Sequence, residues 1–417
     1  MTAPTDGTSR FDWLARRDPT LAVCLVLGVA VGAGVYGFEW IVEEVLHRVA
    51  DAPTAVMVLC PALGLVIAAL ALRLGPEPRS RATADEYLRS MHDPSRRIPA
   101  RQVAARMVAA VGTLGAGGSL GLEGPSMLLG AGAADGVGRR LGRKVLVEHQ
   151  ALLVAGAAAA VAAVFKAPAT GAVFALEGPY RADLARHQLL PALVGAASGY
   201  VSLAAFAGTE RLFPVTGNPP FDLRDLGGAL VLGVLAGLLA RGIARSIRWA
   251  KHWAASTVAW RRLPLAAVAL AGAAWAAVAL TDEPLGIGPG YAVVDWLGDP
   301  RLGIGVLVAM LLVRFVGVVA TTAGGGVGGY FVPLVVLGAA LGRIAGGVVG
   351  LGGSSLFPIL GVAAVLGAGY GVPLAAVMFV AETSGRPGFI VPALIAAVAA
   401  TLAVGDERVT DYQRGRA

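Results

Sequence analysis

The chain has 417 residues, of which 56% are hydrophobic and 15% charged, and its mean hydropathy is +0.70. That is far too apolar for a soluble domain of this length, so the chain belongs in a lipid bilayer. Its net charge of +7 does not point to nucleic acid, because no basic stripe with interleaved aromatics is present.

Residues 1–20 are polar and run into a full-length apolar segment without a cleavable signal pattern. Arg10, Arg16 and Arg17 place the N-terminus in the cytoplasm, as expected for a multi-pass protein of the plasma or inner membrane. Later basic residues cluster between apolar runs, as in Arg139-Arg140-Leu141-Gly142-Arg143-Lys144, where the same positive-inside rule explains them. Apolar runs suited to about 30 Å of hydrocarbon span Leu21 to Val45, Ala55 to Leu72, Ala151 to Val164, Leu189 to Phe206, Gly227 to Ala240, Leu263 to Leu280, Leu302 to Ala320 and Ile390 to Val404. Several are short or interrupted by Gly and Pro, which predicts re-entrant and tilted pieces. Cys24 and Cys60 lie in apolar runs, and no Cys/His cluster calls for a metal or a cofactor.

Residues 75–102, rich in Pro, Asp and Arg, read as a surface connection. The chain then re-enters the membrane through Gly121-Leu122-Glu123-Gly124-Pro125. A carboxylate inside an apolar run is costly unless it faces partners or a water-filled cavity, so Glu123 is a functional-site candidate by default. Gly117, Gly118, Gly121 and Gly124 allow a close turn, and Pro125 suits the first turn of a new helix. Free N–H groups at such a start, with the positive end of the helix dipole, make an anion site at membrane depth.

Further on, Pro168 breaks an apolar run that Glu177 ends. Lys166 is expected either in an inner vestibule or at the solvated end of a broken helix, and Glu177 and Glu382 at interfacial helix ends. Residues 208–225 are expected to mark a boundary between two halves, about 21–207 and 226–404, followed by a short tail, 405–417, in which no regulatory domain is expected. The halves repeat. GLEGPSMLLGAGAADGVGR from Gly121 aligns without a gap on GYFVPLVVLGAALGRIAGG from Gly329, and the segment ending at Glu177 aligns on that ending at Glu382, with Pro168 opposite Pro373 and Phe174 opposite Phe379. Interrupted helices in corresponding places of two repeats point to a transporter-type site at their interface.

These motifs resemble the CLC chloride channels and chloride/proton exchangers. Gly121 to Pro125 resembles that family's GREGP, Gly329-Tyr330-Phe331-Val332-Pro333 its GxFxP, and Gly286 to Tyr291 a GxGY-like stretch, with Arg314 where the family usually has Lys. The resemblance runs from about Leu21 to the end of the chain. It implies an all-α integral membrane protein of two antiparallel helical repeats, a homodimer, and one anion pathway per subunit with Glu123 as its gate. Backbone N–H groups of Leu122, Glu123, Gly124, Tyr330, Phe331 and Val332 would surround the anion, chloride being the default. The dimer interface would use Leu189 to Phe206 and Ile390 to Val404, where Ala192, Gly195, Ala397 and Ala400 permit close packing.

The chain also departs from the pattern. The family's GSGIP falls near Arg81-Ala82-Thr83-Ala84-Asp85, leaving Thr83 as a replacement hydroxyl, and GREGP has lost its Arg to Leu122. The C-terminal tyrosine falls at Thr410, with Tyr412 two residues on. The inward-facing glutamate of the exchangers falls at Gly178, so that coupling to protons is expected to be weak or absent unless Glu177 supplies the path. Gly117 to Gly121 also fits GxSxG, which leaves a membrane serine hydrolase using Ser119 as the rival to a non-enzymatic transporter. Arg314 is open to two roles, anion ligand or structural cation.

Overall fold

The computed structural model describes residues 19–76, 81, 83–141, 148–210, 212–213, 222–352 and 354–415. Arg10, Arg16, Arg17, Ala82, Arg143 and Lys144 lie outside them. The described chain is helical: α1 (Pro19–Ala50), α2 (Thr54–Met57), α3 (Cys60–Leu72), α4 (Ala84–His92), α5 (Ala100–Gly115), α6 (Glu123–Leu141), α7 (His149–Phe165), α8 (Pro168–Glu177) and α9 (Leu189–Ala207) form one half. The other half holds α10 (Leu223–Ser256), α11 (Ala259–Thr281), α12 (Tyr291–Trp296), α13 (Ile304–Ala323), α14 (Phe331–Val348), α15 (Leu356–Tyr370), α16 (Pro373–Ser384) and α17 (Ile390–Val404). Eight spans among these residues are long and apolar enough to cross a membrane. The run Ala55 to Leu72 divides at Val58-Leu59, just before Cys60-Pro61 starts a new helix, and Gly227 to Ala240 is the middle of a much longer helix whose basic end continues beyond the apolar stretch.

Lipid offers little hydrophobic drive between helices, so close backbone approach does the work of packing. Gly28 and Gly32 of α1 meet Gly195 and Gly199 of α9, which in turn lie on Ala155 and Ala159 of α7. The second half repeats this: Gly233 and Gly237 of α10 meet Ala396 and Ala400 of α17. A Cβ at any of these glycines would strike backbone.

That packing corrects the expected role of the small residues. Ala192, Ala397 and Ala400 are fully buried within the protomer and Gly195 lies on Ala155, so none of the four is offered to a partner. The outward faces of α9 and α17 carry Leu189, Leu193, Val201, Val391, Leu394, Val398 and Leu402 instead.

The halves are inverted. Glu177, at the end of α8, accepts from the N–H groups of Leu374 and Ala375 at the start of α16, at 3.1 and 2.8 Å. Glu382, near the end of α16, accepts from those of Ala169 and Thr170 at the start of α8, at 2.9 and 2.7 Å. The two helices therefore run antiparallel, each ending on the other's beginning. The expected interfacial exposure of both glutamates is replaced by this pair of caps, because a helix starting at membrane depth must have its first-turn N–H groups satisfied from within the protein.

The 75–102 connection is more than a surface link. Within it α4 buries Tyr87, whose hydroxyl donates to the Ala175 carbonyl at 2.6 Å, and Glu86, which pairs with Arg96 and, at 2.9 Å, with Arg106. Glu86→Ala would remove the buried carboxylate that Arg96 and Arg106 share and should cost about 3–5 kcal/mol, read as a fall in the thermal unfolding midpoint of the purified protein.

Candidate functional site

The site lies where two helix starts face each other. Gly121 and Gly329 pair as an isolated antiparallel bridge, N–H to carbonyl at 2.8 and 2.7 Å in the two directions. This brings the first turns of α6 and α14 together. Glu123, the first residue of α6 and fully buried, reaches across the bridge so that its Oε1 accepts from the Phe331 N–H of α14 at 2.6 Å. Backbone amides of Val332 and of Glu123 itself also face the carboxylate. Its Oε2 is buried without a partner among the described residues.

The glycines at the bridge are required by this arrangement. A Cβ on Gly121 or Gly329 would overlap the Glu123 carboxylate, and one on Gly124 would meet Thr83 Oγ1 and the Gly329 backbone. Gly329→Ala should therefore push the carboxylate off the Phe331 amide, at a cost of about 1–3 kcal/mol, and flatten the pH response of anion flux in proteoliposomes.

Below the bridge is a cavity of about 380 Å³ whose wall includes Thr83, Tyr330, Tyr370, Lys251, Asp411 and Tyr412. Thr83 is buried there, its Oγ1 donating to the Gly328 carbonyl at 3.3 Å. Tyr412 is at the rim, partly exposed with Arg89 stacked 5.1 Å from its ring. Thr410 is buried in the tail, its hydroxyl accepting from the Tyr412 N–H at 3.4 Å, and is not part of the cavity wall. The structure thus gathers Glu123, Leu122, Gly124, Tyr330, Phe331, Val332 and Thr83 around one bridge, brings Tyr412 to the cavity, and leaves Thr410 outside.

Tyr370, at the end of α15, was not singled out by any motif. Its ring packs 5.3 Å from Phe174 and 6.4 Å from Phe331, and it lines the cavity. One signal was available: in the repeat alignment Tyr370 stands opposite Phe165, whose ring stacks 4.2 Å from Phe331. The repeat thus sets two aromatic helix ends against Phe331, one of which carries a hydroxyl. Lys251 was missed because it lies beyond the apolar core of α10, where a basic residue reads as a solvated end.

Three remaining residues find structural roles. The Arg314 guanidinium donates to the carbonyls of Leu285 and Ile287 at 3.2 Å and of Gly288 and Pro289 at 2.8 Å, so it holds the loop before α12 and meets no site residue. Lys166 donates to the Ala207 carbonyl at the end of α9, 3.1 Å away. α1 and α9 run parallel, with Tyr36 stacked on Phe206, so Lys166 sits beside the second half of α1, on the opposite side from the basic cavity. The inner-vestibule expectation is corrected accordingly. Ser119 Oγ lies 3.4 Å from the Gly286 carbonyl, and no histidine touches it among the described residues.

Comparison with known proteins identifies the family. Residues 63–405 match the family model described as voltage gated chloride channel. A ClcB-like protein of Ralstonia nicotianae is 32% identical over 82% of this chain and 80% of its own length. The H(+)/Cl(−) exchange transporter ClcA of Yersinia pseudotuberculosis is 25% identical over 93% of this chain and 86% of its own. Among solved structures, a CLC-type fluoride/proton antiporter superposes with a TM-score of 0.80 at 22% identity, covering 98% of this chain and 100% of its own. A slow cyanobacterial Cl−/H+ antiporter gives 0.78 at 19% identity, over 92% and 94%. The inverted helical fold, the motif order and the family match together establish that this multi-pass membrane protein belongs to the voltage-gated chloride channel family, the CLC anion transporters.

Proposed function

We propose that this chain moves a small inorganic anion, with chloride as the default, along a Glu123-gated pathway in each protomer, with weak or absent proton coupling. One observation carries the reading. Four helices, α6, α8, α14 and α16, begin at membrane depth, and for three of them a carboxylate of the opposite repeat accepts from the first-turn N–H groups: Glu382 for α8, Glu177 for α16 and Glu123 for α14. The fourth, α6, faces Phe331, the repeat mate of Glu123, which carries no charge. The amides at the start of α6, Gly124 among them, are then left for a mobile anion. A carboxylate already seated across the bridge competes with that anion, which is what a gate requires.

The same geometry favours weak coupling. Gly178 carries no proton, and both oxygens of Glu177 are engaged in capping α16. Coupled antiport through Glu177 is the second reading; Glu177 is buried at 8% exposure within the protein, and relatives with the same fold bear exchanger names. Among the described residues Ser119 Oγ meets the Gly286 carbonyl and no base, which supports a transporter rather than an enzyme.

Charge supports an orientation. Arg89, Arg96, Arg139, Arg245 and Arg248 lie on the side where α1 begins, as does the tail, whereas the far end of α1 carries Glu39, Glu43 and Glu44 against His47 and Arg48. The positive-inside rule puts the start of α1, and hence the N-terminus, in the cytoplasm of a cell or inner membrane. The apolar outward faces of α9 and α17 suit a homodimer. Trp at both Val201 and Val398 should yield monomers in mild detergent, and a wild type monomeric in detergent and in bilayers would rule the dimer out. Efflux from liposomes loaded in turn with chloride, fluoride, nitrate and bromide tests the whole reading; no anion flux from folded protein would sink it.

A further inference from the structure

We propose that Lys251 is an anion-binding residue of the inner cavity, so that this chain holds its anion there by an ammonium charge. The inference rests on the anion-transport reading. Lys251 Nζ donates to Asp85 Oδ2 at 3.3 Å and to the Val409 carbonyl of the tail at 2.8 Å, and stands 5.0 Å from the centroid of the Tyr330 ring. An ammonium has three N–H donors. Two are engaged among the described residues, and Lys251 lines the cavity of about 380 Å³, so the third is available to a ligand beside Tyr330, the neighbour of Phe331, whose amide donates to Glu123.

The other cations of the wall have different work. Arg248 pairs with Glu407, Arg89 covers the Tyr412 ring, and Arg81 donates to the Gly325 carbonyl. Lys251 is also the cation that touches Tyr330 and the tail at once. Asp85 holds the ammonium in place and partly neutralises it, so that an arriving anion is attracted without being trapped. An ammonium is a compact, strongly hydrated point charge, which fits a small monovalent anion and asks for no hydroxyl pair. That is relevant where the chain has Thr83 and no tyrosine in the tail position under the bridge.

The test is calorimetric titration of purified protein with sodium chloride, and separately with sodium fluoride, alongside flux in proteoliposomes. Lys251→Met with Asp85→Asn keeps the net local charge unchanged and should preserve folding; its chloride affinity should fall at least about tenfold, as expected for losing a charged hydrogen-bond donor beside the ligand, and its flux should fall with it. Lys251→Arg should stay within about threefold of wild type. Asp85→Asn alone should bind more tightly, which reads the site even if the double variant does not fold. Wild-type affinity and flux in the folded double variant, or unchanged binding in Asp85→Asn, would overturn the proposal. Failure of the transport reading looks different: wild-type protein itself would then carry neither anion.

Discussion

Glu123→Gln should abolish the pH dependence of anion flux while leaving flux near its maximal value. In the wild type the carboxylate accepts from the Phe331 amide at 2.6 Å, and on the proposed reading its charged form competes with an anion for the same helix starts. Protonation removes that charge, so flux should rise as pH falls through the titration of Glu123 and fall as pH rises. Gln has the same shape and no titratable proton, and its carbonyl still accepts from Phe331. The fold should therefore survive, with a loss no greater than about 1–3 kcal/mol. A Glu paired to a fixed cation would behave otherwise, since its removal would strand a buried charge and unfold the protein; here the carboxylate's partners are backbone amides. Initial efflux rates over about three pH units, measured for wild type and variant at equal incorporation, decide the matter. A wild-type pH profile retained in the folded variant would remove Glu123 as the gate.

A pH gradient across proteoliposomes should leave the reversal potential of anion flux at the anion equilibrium potential. The reason is a gap in the proton route. Between Glu123 and the Gly178 end of α8 the packing is aromatic: Phe165, Phe174 and Phe379 pack on Phe331. An unaided proton is expensive to move through such a barrier. The position where the exchangers carry an acid is Gly178, and its neighbour Glu177 has both oxygens on the amides of Leu374 and Ala375. A tenfold proton ratio corresponds to about 59 mV for a one-charge couple, so even a minor fixed share of protons in the cycle is measurable. A reproducible shift would restore the antiport reading and direct attention to Glu177→Gln as the variant that should abolish it.

The legible part of this protein was the part in which a residue is costly where it stands. A carboxylate in an apolar run, prolines that break helices at matching positions of two halves, and the glycines around Glu123 each carry a local penalty that only a site or a turn offsets. Their order and spacing are enough to identify the fold and its repeats. Spans such as Ile390 to Val404 coincide with a helix because apolar length and Gly or Pro ends are properties of the segment itself.

What the sequence determined alone, then, was the bilayer as solvent, two repeated halves and a glutamate at an interrupted helix, since composition, periodicity and motif spacing are written along the chain. What only the tertiary structure decided was every role that depends on which helix face meets which neighbour. Glu177 and Glu382 look like interfacial ends until α8 and α16 are laid antiparallel, and Ala192, Gly195, Ala397 and Ala400 look like a dimer seam until α1, α7 and α10 occupy them. Arg314 becomes a loop organiser, Lys166 changes sides, and Tyr370 and Lys251 enter the cavity for the same reason. Their partners lie tens to hundreds of residues away, and in a bilayer a buried polar group is assigned by the partner that satisfies it rather than by its own identity.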